Sequence, residues 1–319
     1  METRPAPIPA SAATGRRYGL DALRLFAIVL VTVQHALSAV GHEPWAALGA
    51  ASFGQAGVAL FCGISGYLAM RSGASPGAWI ARRLGRVFPA FWLSMIVAFV
   101  LTGVSGRKSF DAAQVVCQML GVGFFTHGAA IVNTVTWFVS LILLCYVIAL
   151  AGKLMGRPDF MMCAAALAAA GLVASGYEYV VSRHVLVFCV AGLVGGGALS
   201  VRTMLGLGAV AATGAALVQG QLVHAAIACP LLALGLAWGV TLPRVAVRWA
   251  DLTYEYYLMH GITLSAFTSV LAGRPILGIA LGVVGAIVSA PLLRRATDRL
   301  GGAIRRTLSR RPGLQLGPS

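Results

Sequence analysis

Charge is scarce in this chain. Of its 319 residues only 10% are charged, and only nine are acidic. A soluble domain carries about a quarter charged residues, so that class is excluded. Paired cysteines are also missing. Cys62, Cys117, Cys145, Cys163, Cys189 and Cys229 fall singly in apolar stretches. That suggests neither a disulfide framework nor a zinc site and predicts a small buried hydrophobe at each position. The histidines show no metal spacing, so no metal is expected. No GxSxG and no phosphate-cradling glycine loop precedes a helix. Neither an internal repeat nor a separate soluble domain is visible, and the inverted symmetry of many secondary transporters is not evident. Residues 1–16 lack the short apolar core and cleavage site of a signal peptide. They read as a disordered cytoplasmic tail, with the first span a retained anchor.

What the chain does have is long apolar runs. It is 59% hydrophobic, with mean hydropathy +0.85. The class this fits is an all-α polytopic membrane protein. Runs of spanning length occur at 18–40, 52–70, 87–104, 134–152, 159–176, 184–200, 203–218, 222–240, 250–271 and 275–293. An eleventh apolar stretch, 112–128, is ambiguous, and the distribution of charge decides it. Ten spans with the N-terminus inside put Arg71, Arg82, Arg83 and Arg86 in one cytoplasmic loop. Lys153, Arg157, Arg202, Arg244, Arg248 and the Arg-rich C-terminal segment 296–319 then also lie inside, as the positive-inside rule requires. An eleventh span would invert everything after it. Residues 112–128 are therefore expected to be re-entrant or interfacial, with protein or water satisfying the backbone. The net charge of +15 follows from this topology, and the basic residues flank apolar runs without forming a nucleic-acid-binding domain. The C-terminal arginines are placed to meet anionic lipid headgroups.

Four constellations could carry chemistry. In the first run, Arg24 and His35 are eleven positions apart, which on a helix is about 20° of rotation and about 16 Å of rise. Asp21 lies on the same face, at the right spacing to orient Arg24 through an i,i+3 pair. Ionisable groups inside a membrane span mark function by default. A neutral imidazole can act as a general base toward a hydroxyl, and the guanidinium can neutralise a phosphate or polarise a carbonyl. The plainer alternative is an ion pair and a satisfied histidine that hold the bundle together.

The second constellation is ARRLGRVFPAFW (81–92). Arg83 and Arg86, one turn apart, suit phosphate oxygens, although positive-inside anchoring explains such pairs by itself. The third, FGQAGVALFCGISGYLAM (53–70), is thinned by Gly57, Gly63 and Gly66 and offers the Ser65 hydroxyl; helix packing is the simpler reading. The fourth, LTYEYYLMH (252–260), places Glu255 and His260 in an apolar helix where both must be paired or hydrated. Tyr254, Tyr256 and Tyr257 there read as a membrane-boundary belt. His42, His127, His184 and His224 fall in or near loops, and of these only His127 is a candidate site residue.

Together these segments resemble membrane-bound acyltransferase family 3. That family opens with an Arg, ten residues and a His, matched here by RLFAIVLVTVQH after the typical LDALR. Its RxxR is matched by RLGR with a Pro and a Trp following, its glycine-rich segment by GVALFCGISG, and its late SY--YL-H by TYEYYLMH. The matches keep the family's order and cover nearly the whole chain, with the acyltransferase domain expected over 17–295. One departure is that many members carry an acid after WSL, whereas WFVSLILLCY has Ile142 there. The SGNH-type domain appended in some members has no counterpart in these 319 residues.

The resemblance implies an acyltransferase of the EC 2.3.1 type in a bacterial-type inner membrane, with both termini cytoplasmic. An acyl group, in the first place acetyl, passes from cytoplasmic acyl-CoA to a hydroxyl of an extracytoplasmic or lipid-linked glycan. His35 is implied as base or acyl carrier, with Arg24 essential beside it and Arg83 and Arg86 on the donor's phosphates. The implied partners are membrane lipid, the glycan acceptor and acyl-CoA, with no nucleic acid. A transporter or flippase that uses the polar stripe without chemistry is the rival reading.

Overall fold

Each of the ten apolar runs folds as one helix. The computed structural model describes residues 16–106, 110–128, 130–177, 180–239 and 241–309, without the side chains of 48, 105 and 303–309. The expected N-terminal tail up to 15, Arg107, Lys108 and the side chains of Arg305, Arg306, Arg310 and Arg311 lie outside the described residues. In chain order the helices are α1 (Tyr18–Ala39), α2 (Phe53–Met70), α3 (Pro76–Ser105), α4 (Ala112–Met119), α5 (Gly123–His127), α6 (Trp137–Leu154), α7 (Pro158–Ser175), α8 (Ser182–Gly196), α9 (Val201–Leu217), α10 (Val223–Ala237), α11 (Arg244–Val270) and α12 (Pro275–Ser309). A two-residue hairpin, β1 (Ala47–Leu48) and β2 (Ala51–Ser52), turns the chain between α1 and α2.

Among the described residues, seven helices are long and apolar enough to cross a membrane: α1, α2, α3, α6, α7, α10 and α12. α8 and α9 are apolar but shorter. α11 has 27 residues, but Arg244, Arg248, Asp251 and Glu255 make its first half polar. The ambiguous stretch is not a span. It breaks into α4 and α5 around Gly121, whose φ of 77° suits glycine. Eight residues rise only about 12 Å, well short of a hydrocarbon core of about 30 Å. An Asp111–Gln114 capping box starts α4.

Two expectations need correction. α3 begins at Pro76, so Arg82, Arg83 and Arg86 stand on its early turns and not in a loop. Of the cysteines, Cys163 is exposed and Cys117 half-buried, while the other four are buried; a membrane helix can present a small apolar thiol outward at little cost. His184 and His224 lie in the first turns of α8 and α10, next to the preceding loops, and are fully buried.

The chain divides into two compact units. The first holds the residues up to Trp79 together with Leu141–Thr253; the second holds Ile80–Ser140 and the residues from Tyr254 onward. In the first unit α2 is the central helix, with α1, α8 and α10 packed against it. Its glycines explain how. A Cβ on Gly66 would lie 2.0 Å from the Phe188 carbonyl oxygen of α8, and one on Gly57 would lie 2.6 Å from the Ala27 carbonyl oxygen of α1. Gly63 receives the Leu232 side chain of α10 in the same way. These glycines therefore serve helix–helix packing. The core around them includes Ala27, Leu60, Ile64, Val187 and Leu232. Beyond its first turn α8 is apolar, as suits a helix buried along most of its length.

In the second unit, α11 is tied down by polar bonds. The Tyr257 hydroxyl donates to the Val135 carbonyl at 2.5 Å, and Asn133 donates to the Leu258 carbonyl at 3.0 Å. The Tyr254 hydroxyl reaches the Val87 carbonyl of α3 at 3.0 Å. Tyr254 and Tyr257 thus bond within the unit. Trp92 of α3 donates to the Met119 carbonyl at 2.8 Å, and the Gln118 amide oxygen accepts from the Val132 N–H at 2.6 Å, holding the α4–α5 segment in place.

Candidate functional site

α1 runs unbroken through both Arg24 and His35. The expected geometry therefore applies, with one face and about 16 Å between them. Three residues upstream of Arg24, Asp21 is only 2% exposed, and its carboxylate is shared. The Arg24 guanidinium donates to Oδ1 at 2.8 Å and Arg16 Nε donates to Oδ2 at 2.6 Å. Arg16 also spans to Asp251 at the start of α11, with bonds of 3.0 and 3.3 Å. Its guanidinium is held above its ordinary pKa, first by the Asp251 bond and then by the Asp21 bond. The i,i+3 pair between Asp21 and Arg24 is present. The wider network, in which Arg16 bridges two acids, was not legible in the linear spacing.

The base candidate stands at the opposite end of the same helix. His35 is half-buried near the C-terminal end of α1, which we term the far end of the first unit. The separation of the two groups has a chemical consequence. A reacting carbonyl beside His35 lies beyond the reach of Arg24. Ser65 is half-buried on α2 among the packing glycines.

In the second unit Arg83 is half-buried and Arg86 exposed, three positions apart on α3. Glu255, 2% exposed, accepts from Arg294 of α12 at 3.1 Å. Arg294 also holds Asp298 at 3.2 Å. The second oxygen of Glu255 is buried without a hydrogen-bond partner among the described residues. His260 is fully buried; its Nδ1 donates to the Tyr257 carbonyl at 2.6 Å and its ring stacks on Tyr256 at 5.9 Å. One residue further along α11, Gly261 opens onto a cavity of about 400 Å³ that Leu101, Thr102, Asn133, Thr134 and Ser265 help to line. His127, in the last turn of α5, is half-buried and lies 2.6 Å from the Thr126 hydroxyl.

Asp21, Arg24, His35 and Ser65 thus belong to one unit, and Arg83, Arg86, His127, Glu255 and His260 to the other. Arg294, expected among the C-terminal arginines that meet lipid headgroups, pairs with Glu255, 39 positions away. Arg183, which was not among the candidate site residues, is 7% exposed beside the buried His184 and His224.

The sequence model of one family, the acyltransferase domain of acyltransferase family 3, matches residues 17–295. No curated protein and no solved structure matches the chain.

Proposed function

The chain belongs to acyltransferase family 3 and is a multi-pass membrane acyltransferase, and from that premise we propose that it moves an acyl group, acetyl in the first place, from cytoplasmic acyl-CoA to a glycan hydroxyl across a bacterial-type inner membrane. Both termini are cytoplasmic in this reading, so the near end of α1 faces the donor compartment and the far end faces the acceptor. The observation that carries it is a family match over the whole helical domain, with Arg24 and His35 on one uninterrupted helix.

The roles follow from chemistry. Neutral His35 takes the proton of the acceptor hydroxyl. The oxygen attacks the thioester carbonyl, the C–S bond breaks, and the CoA thiolate leaves and takes up a proton. Arg24, fixed by Asp21 and Arg16, holds an anionic group of the donor at the near end, since it cannot share a carbonyl with His35. Arg83 and Arg86 supply further cations for the donor's phosphates. Glu255 and His260 order α11, and Ser65 and His127 remain secondary candidates for substrate contact.

The experiment is mass spectrometry of surface glycans from cells with and without the protein. Loss of an acyl mass from a defined sugar supports the reading. An unchanged glycan together with altered flux of an intact solute supports a transporter instead.

A further inference from the structure

At the far end of the first unit, three helices begin against one another. Gln55 is in the first turn of α2, Arg183 and His184 in that of α8, and His224 in that of α10. The two terminal nitrogens of Arg183 each face a glutamine amide oxygen: one donates to Gln55 at 2.8 Å and the other to Gln221. His184 Nδ1 donates to the Val180 carbonyl at 3.0 Å, and the ring lies 5.8 Å from that of His224. His224 Nδ1 donates to the Gln221 carbonyl at 2.8 Å. Its Nε2 is buried and has no hydrogen-bond partner among the described residues.

The helix starts and Arg183 favour negative charge, while the Val180 and Gln55 carbonyls take up both ring nitrogens of His184. Each helix start carries the positive end of a dipole and unsatisfied N–H groups. Arg183 presents two parallel donors, the geometry that grips a carboxylate or phosphate. With Nδ1 already bonded, Nε2 is the ring nitrogen that His224 has left for a ligand atom. Gln55 and Gln221 are half-buried, and their amide oxygens occupy the positions two anionic oxygens would take. The cluster is also close to the base. A Cβ on Gly54 would lie 2.9 Å from the Gln34 side chain, so the α1 turn that bears His35 packs on the α2 turn that bears Gln55.

We propose that Arg183 and His224 form an oxyanion-binding site for a carboxylate or phosphate carried by the acceptor. The ligand's owner rests on the acyl-transfer reading; the anion site itself does not. An acidic sugar or a phosphate-linked glycan is then held with its hydroxyl near His35, and a neutral free sugar is not.

The test measures thermal unfolding of the purified full chain in detergent, titrated with sodium glucuronate, glucose or inorganic phosphate at equal ionic strength. Glucuronate or phosphate raises the midpoint and glucose does not. A rise with glucuronate alone assigns an acidic sugar, and a rise with phosphate assigns a phosphate-linked acceptor. Arg183→Gln weakens the effective anion by about tenfold to a hundredfold, the scale of hydrogen bonds to a charged group. Phosphate held at Arg83 and Arg86 would be indifferent to that substitution. His224→Gln weakens it in the same direction and serves alone where Arg183→Gln does not fold. Equal midpoints in all three solutes, or wild-type affinity in a folded variant, overturn the proposal. No acyl transfer is needed for the readout, so failure of the acyltransferase reading would leave it intact.

Discussion

Asp21→Asn isolates the contact that holds Arg24. The carboxylate accepts at 2.6 Å from Arg16 and at 2.8 Å from Arg24, from a position that is almost fully buried. Asparagine keeps the volume and one acceptor but turns an NH2 toward the other guanidinium. One charge-assisted hydrogen bond, worth about 1.5–3 kcal/mol, is lost. The arginine side chains are 32% and 27% exposed, so water recovers part of it. We expect a loss of about 2 kcal/mol and a fall in the unfolding midpoint of about 4 °C. The transfer rate should fall further, by about a hundredfold, because a misplacement of about 1 Å has that effect on a positioned group. Asp251→Asn is the control. Its side chain is 47% exposed, so losing its bonds to Arg16 costs at most about 1 kcal/mol. Thermal unfolding and acyl-transfer rates of the two variants in the same detergent decide the matter. Full rate and an unchanged midpoint in Asp21→Asn would refute the reasoning, as would equal damage from both substitutions.

Gly66→Ala should destabilise by about 3 kcal/mol, since the new methyl meets a backbone carbonyl that cannot rotate away. Gly171→Ala on α7 meets nothing within 4 Å and should stabilise by about 0.5–1 kcal/mol; thermal unfolding that ranks the two the other way would contradict the packing account. Arg83→Ala and Arg86→Ala should each raise KM for acyl-CoA about tenfold with little change in kcat. A loss confined to kcat would remove them from donor binding.

Much of the architecture was legible because hydropathy alone demands it. Each apolar run became a helix, and the charge count kept 112–128 from being a span. Boundaries moved where polar residues continue a helix beyond lipid, as with Arg82, Arg83 and Arg86 on α3. The Asp21–Arg24 pair could be read because i,i+3 spacing is local. The bond from Arg294 to Glu255, and the meeting of Arg183, His184 and His224, depend on how distant helices align. No spacing along the chain encodes that. Nothing near Tyr257 in sequence announces the Val135 carbonyl it reaches.

The most direct measurement is transfer of labelled acetyl from acetyl-CoA to purified glycan by His35→Ala in reconstituted vesicles, beside the wild type. The account predicts that the variant inserts, binds acetyl-CoA as the wild type does, and transfers no label. Transfer at the wild-type rate would contradict it.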